Sequence, residues 1–122
     1  MNFKISGKVI RGDGYGRKIG FPTVNLEYKA KDLPKSGVYA GVAIIEEEPR
    51  TRTSSVRGRY RAGIVVGPEN KLEAHLIGYS GDAYGKEVTL EIEKFLRAFK
   101  KFDTEEELIA QISEDLRLCL QE

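Results

Sequence analysis

Residues 12 to 27, GDGYGRKIGFPTVNLE, combine the residue types that phosphate chemistry uses. Gly12, Gly14 and Gly16 let the backbone approach a ligand closely. Successive N–H groups in such a loop can form an anion-binding nest, and Arg17 and Lys18 add positive charge beside it. The segment is neither a Walker A loop, which needs G-x-x-x-x-G-K-[ST], nor the dinucleotide fingerprint G-x-G-x-x-G, because the glycines fall at 12, 14, 16 and 20. A solvated basic loop is the competing description. Thr23 and Asn25 follow at i and i+2, which an extended strand points to one face. Both carry neutral oxygen donors of the kind Mg²⁺ accepts, and two neutral donors hold a bare ion weakly, so the metal is expected to arrive on nucleotide phosphates. The same two side chains could instead cap a turn or pair across a sheet.

A loop and a short strand act only if a scaffold holds them. The chain has 122 residues, 20 basic against 19 acidic, one Cys and one His. That length suits one domain spanning 1–122. The charge balance gives no bulk reason for nucleic-acid or membrane binding. Cys119 alone can form neither an internal disulfide nor a cysteine zinc cluster, and a single His excludes a multi-histidine metal site. No apolar run approaches the roughly 20 residues needed to span a bilayer, and no signal-peptide core follows Met1, so the expected setting is cytoplasmic.

Alternation and turn residues predict strands at 3–10, 21–27, 36–45, 59–66, 71–79 and 86–94, with a turn at 67–70 and a loop at 80–85. Val88, Leu90 and Ile92 should face one way, and Thr89, Glu91 and Glu93 the other. Residues 102–122 change period. Leu108, Ile109, Ile112, Leu116, Cys119 and Leu120 form an apolar stripe at helical spacing, and Thr104 with Glu107 makes a capping box ahead of it. Six short strands must protect their edges, and closing into a barrel is one way to do it. The expected fold is therefore mainly β, a small closed six-stranded antiparallel β-barrel with a C-terminal α-helix packed on it.

The stretch GDGYGRKIGFPTVN resembles the glycine loop and Pro-Thr-Ala-Asn motif of the riboflavin kinases of bacterial and eukaryotic type, with Val24 in place of the alanine. The likeness continues through SGVYAGVA, LEAHLIGYSGDAYGKEVTLE and KFLRAFKKFDTEEELIAQI, in the family's order. The resemblance implies the same barrel and transfer of the γ-phosphoryl group of ATP to the 5′-hydroxyl of riboflavin, giving FMN. It implies Thr23 and Asn25 at a Mg²⁺–nucleotide site, Gly12, Gly14, Gly16, Arg17 and Lys18 around the nucleotide, and Glu73 as catalytic base. Glu73 is an acid in an otherwise apolar strand. The resemblance also implies Arg97 in a mobile flap near the flavin. Phe95, Phe99 and Phe102 are expected to pack in the core or that flap, with Phe102 beside the flavin ring. His75, on Glu73's strand face, is expected to make a structural hydrogen bond.

The implied partners are riboflavin/FMN and ATP/ADP, with no membrane, no nucleic acid and a monomeric state. Many bacterial relatives carry an N-terminal adenylyltransferase that makes FAD; that activity is not expected of this chain. Two other functions compete, a barrel that retains flavin or nucleotide without turnover and a small RNA-binding barrel. The second would use Arg50, Arg52, Arg57, Arg59 and Arg61, which otherwise make a solvated hairpin opposite Glu46, Glu47 and Glu48. The loop, the oxygen pair and the carboxylate are expected to converge on one mouth of the closed sheet.

Overall fold

The computed structural model describes residues 3–12, 18, 20–28, 33–47, 56–80 and 83–121 of the chain. Six strands carry the fold: β1 Phe3–Ile10, β2 Val24–Tyr28, β3 Gly37–Glu47, β4 Val56–Val66, β5 Leu72–Leu76 and β6 Glu87–Arg97. They close into a barrel in the order β1-β2-β5-β4-β3-β6. Every neighbouring pair is antiparallel. Closure gives every strand a neighbour on both sides over at least part of its length, which answers the edge problem posed by short strands.

Alternation places the core. Ile5 and Val9 of β1, Leu72, Ala74 and Leu76 of β5, and Val88, Leu90 and Ile92 of β6 point inward and are buried. Thr89, Glu91 and Glu93 face outward and are half-buried. β5 is shorter than its predicted span because the chain turns at Ile77 and Gly78, where Gly78 adopts φ +88. β2 starts after Pro22, which has no N–H to give to the ladder.

β3 is buried on both faces. Tyr39, Ala43 and Ile45 belong to the barrel core, while Val38, Ala40 and Val42, which alternate with them, are also buried. Helix α1, Glu105–Leu120, covers that second face by packing on β3 and β4. The strand bends to accommodate this. Its register against β6 shifts between Ala40 and Gly41, and a Cβ on Gly41 would stand 2.1 Å from the Glu91 carbonyl oxygen, so only glycine fits there.

The helix begins as expected. The Thr104 hydroxyl oxygen accepts from the Glu107 N–H at 3.1 Å, and Glu105, Glu106 and Glu107 complement the positive end of the dipole. Its far end is held from the barrel, where Arg61 Nε donates to the Cys119 carbonyl at 3.2 Å. Leu120 departs from the predicted stripe; it lies beyond that attachment and is 60% exposed. The charged hairpin also departs in part. Arg59 pairs with Glu91 at 3.5 Å and Arg61 with Glu93 at 3.0 Å, both on β6. Arg50, Arg52 and Glu48 lie outside the described residues.

Candidate functional site

One row of the hydrogen-bonded ladder runs across most of the barrel. Ile10 pairs with Asn25, Asn25 with Glu73, Glu73 with Val65, Val65 with Val38, and Val38 with Arg97. Register partners share a sheet face. Their neighbours along the strands, Val9, Leu26, Leu72, Ala74, Ile64 and Tyr39, lie in the core, so the row faces outward. Adjacent strands are about 4.8 Å apart. Asn25 and Glu73 are thus one strand step apart, and Glu73 and Arg97 three steps, about 14 Å along the wall. Residues from 10 to 97 meet here through the pairing of strands that are distant in sequence.

Four members of the row, Glu73, Val65, Val38 and Arg97, line a cavity of about 240 Å³. Val38 and Val65 form its apolar base, with Leu108, Ile112 and Leu116 of α1 above them. Phe99 and Phe102 wall it on the side of the segment after β6, and Thr23, Glu73 and His75 stand at the opposite end. The result is an apolar slot with a carboxylate and a hydroxyl at one end, the usual composition of a small-molecule site. It lies against the outer wall beneath the helix. This corrects the expected position at a mouth of the barrel: β5 alternation turns Leu72, Ala74 and Leu76 inward, so Glu73 and His75 must face out.

The individual candidates fall as follows. Thr23, Glu73, Arg97 and Phe102 all line the cavity. Asn25 sits directly across from Glu73. Gly12 is pressed on Asn25, since a Cβ there would stand 2.1 Å from Asn25 Nδ2 and 2.7 Å from its Cγ. The glycine therefore makes room for the Asn25 amide. Lys18 is exposed, and Gly14, Gly16 and Arg17 lie outside the described residues. No group of three or more His, Cys, Asp or Glu able to hold a metal occurs among the described residues.

His75 makes the structural contact expected of it. Its Nδ1 lies 2.6 Å from the Pro22 carbonyl oxygen, and because a carbonyl only accepts, Nδ1 carries the proton. The ring also meets Phe21 edge to face, with centroids 6.1 Å apart. His75 thus ties the segment entering Thr23 to β5. Arg97 is not in a flap; it is the last residue of β6. Its Nε and Nη2 donate to both oxygens of Asp115 at 2.8–3.2 Å. Its Cζ lies 5.6 Å from the Phe102 ring centroid. Phe95 packs edge to face on Tyr39.

Sequence reasoning missed Asp115 and Lys71, both of which line the cavity. Asp115 carried a signal. Leu108, Ile112, Asp115 and Cys119 follow one another at helical spacing, so a carboxylate occupies the buried stripe. Lys71 precedes Glu73 by two residues and shares its face.

Comparison with known proteins identifies the family and the fold. A family model described as "Flavokinase: Riboflavin kinase" matches residues 1–121. The bifunctional riboflavin kinase/FMN adenylyltransferase of Escherichia coli K12 is 36% identical over 114 residues, covering 93% of this chain and 36% of that protein. An RNA-binding riboflavin kinase of Bacillus subtilis is 31% identical over 112 residues, covering 92% of this chain and 47% of that protein. The chain therefore spans less than half the length of these relatives. Among solved structures, a riboflavin kinase from Trypanosoma brucei shares the fold with a TM-score of 0.72 at 22% identity, covering 98% of this chain and 78% of that one. A Streptococcus pneumoniae protein described as a macrolide-efflux protein superposes with a TM-score of 0.80 at 27% identity, over 95% of this chain and 38% of that one.

Proposed function

The chain belongs to the riboflavin kinase family, and from that premise we propose that it transfers the γ-phosphoryl group of ATP to the ribityl 5′-hydroxyl of riboflavin, giving FMN and ADP. The observation that carries this is the ladder row Asn25–Glu73–Val65–Val38–Arg97. It sets polar donors, a carboxylate and an apolar slot in one line, the order in which phosphates, a hydroxyl and a flat aromatic ring would lie.

The isoalloxazine ring suits the slot between Val38 and Val65 below and α1 above, bounded by Phe102. The ribityl chain then runs toward Glu73. Phosphoryl transfer depends chiefly on positioning and charge neutralisation. The Glu73 carboxylate orients the attacking hydroxyl and accepts its proton as the new P–O bond forms and the bond to ADP breaks. Thr23 and Asn25, with the loop Gly12, Gly14, Gly16, Arg17 and Lys18, are assigned to the nucleotide. Two neutral oxygens one strand step from the base, without an acidic cluster among the described residues, fit a Mg²⁺ ion that enters with the nucleotide. Thr23 and Asn25 would hold it, and it would neutralise charge on the transferring phosphate. One barrel supplies the whole row, so a monomer suffices.

RNA binding through the hairpin is less well supported, because Arg59 and Arg61 are engaged by Glu91 and Glu93. The deciding assay incubates the protein with riboflavin, ATP and Mg²⁺ and separates flavins by chromatography. FMN is expected; none across several nucleotides and divalent cations would reject the kinase. Glu73→Gln should lower kcat by about 10²- to 10⁴-fold, the usual contribution of general base catalysis, with riboflavin affinity retained. Loss of flavin binding in that variant would make Glu73 a binding residue instead.

A further inference from the structure

Asp115 is a buried charged side chain on the apolar stripe of α1, 7% exposed, and it faces the cavity. Its Oδ1 accepts from Arg97 Nε at 3.0 Å and from Gln111 Nε2 at 3.0 Å. Its Oδ2 accepts from Arg97 Nη2 at 2.8 Å. Arg97 Nη1 donates to the Ala98 carbonyl at 3.3 Å, and the guanidinium lies near the Phe102 ring. One carboxylate therefore joins three parts of the slot: its roof α1, the end of β6, and the segment carrying Phe102. Among the described residues a second attachment, from Arg61 to the Cys119 carbonyl, lies about one turn further along the helix.

For stability alone an apolar pair would serve as well. Replacing a buried ion pair by packed hydrophobic residues is often neutral or stabilising, because each charge loses its hydration. What the bidentate pair adds is a fixed geometry, two parallel bonds that set the distance between helix and strand. We propose that Asp115 is a positioning residue for the flavin, holding α1 over Val38 and Val65 through Arg97 and so setting the width of the slot. The proposal rests on the riboflavin kinase function above. The nucleotide end of the row, four strand steps from Arg97, lies outside its reach.

The test is steady-state kinetics with a direct riboflavin titration by fluorescence quenching. Asp115→Asn should raise the KM and Kd for riboflavin about tenfold, with kcat and the KM for ATP within about twofold. Gln111→Ala, which leaves the ion pair intact, should raise riboflavin KM about threefold with Tm nearly unchanged. The apolar pair Arg97→Met/Asp115→Leu should keep or raise Tm while riboflavin KM stays high. Unchanged riboflavin KM in Asp115→Asn, a matching rise in ATP KM, or recovery of riboflavin KM in the apolar pair would overturn the proposal. Wild-type protein that binds riboflavin and makes FMN while the Asp115 variants match it would reject this proposal alone. Wild-type protein that does neither would reject the kinase function with it.

Discussion

Gly12→Ala perturbs the end of the row proposed to take the nucleotide without touching the rest. The added Cβ would stand 2.1 Å from Asn25 Nδ2, 2.7 Å from Cγ and 3.1 Å from Oδ1. The Gly12 backbone lies outside the left-handed region, so alanine meets no backbone strain there and the conflict falls on the Asn25 amide, which must turn away. Leaving its rotamer costs about 0.5–1.5 kcal/mol. On the proposed function the larger effect is the lost contact to the Mg–nucleotide, about 1.5–3 kcal/mol for a bond to a charged group. At 1.4 kcal/mol per tenfold, nucleotide affinity should fall by roughly 10- to 150-fold. Riboflavin affinity should hold, because the slot between Glu73 and Arg97 is not disturbed. Asn25→Ala should cause a similar loss. The double variant should be no worse than Asn25→Ala, since removing the amide clears the space the methyl needs. The assay is the KM for MgATP, with calorimetric binding of a non-hydrolysable analogue and Tm as the control for folding. An unchanged KM for MgATP in Gly12→Ala would refute the steric reasoning. A double variant whose losses multiply would also refute it, by showing that Gly12 meets the phosphates through its own backbone.

His75→Ala removes the bond to the Pro22 carbonyl, worth about 1 kcal/mol, and should raise the KM for MgATP by roughly three- to tenfold by loosening the approach to Thr23. His75→Asn, whose amide N–H can donate in place of Nδ1, should recover most of that loss, and kinetics of the two variants side by side would show it. Arg61→Ala removes both the Cys119 attachment and the Glu93 pair and should lower Tm by roughly 5–10 °C, measured by thermal denaturation. Burial raises the Tyr39 and Tyr28 hydroxyls above the ordinary tyrosine value of about 10. The folded chain then keeps protons that the unfolded chain gives up. That stability is fully present below about pH 10 and is lost as pH rises through the folded value. Tyr39→Phe, which also loses the 2.6 Å bond to the Lys35 carbonyl, should start from a lower Tm at neutral pH and decline less steeply above about pH 10.

Much of the architecture was legible because its causes are local. The alternation of Val88, Leu90 and Ile92 with Thr89, Glu91 and Glu93 set both a strand and its inner face. Thr104 and three glutamates set the start of α1. Where local signals were ambiguous, prediction drifted. Leu120 sits at helical spacing but has no surface left to cover. Arg59 and Arg61 read as part of a solvated hairpin opposite Glu46, Glu47 and Glu48, whereas strand order brings Glu91 and Glu93 beside them. Asp115 was overlooked because a carboxylate on an apolar stripe reads as solvent-facing until a bidentate partner is known.

By itself the sequence determined the strands, the helix and its cap, and the need to protect the sheet's edges. It also determined the kinds of chemistry its polar residues can do, since period, turn residues and side-chain type act over a few neighbours. Only the tertiary structure decided that Asn25, Glu73 and Arg97 share one row on the outer wall, and that a helix roofs the apolar stretch between Glu73 and Arg97. Register between distant strands is set by closure and by packing of the whole core, and a slip of one residue would turn Glu73 inward.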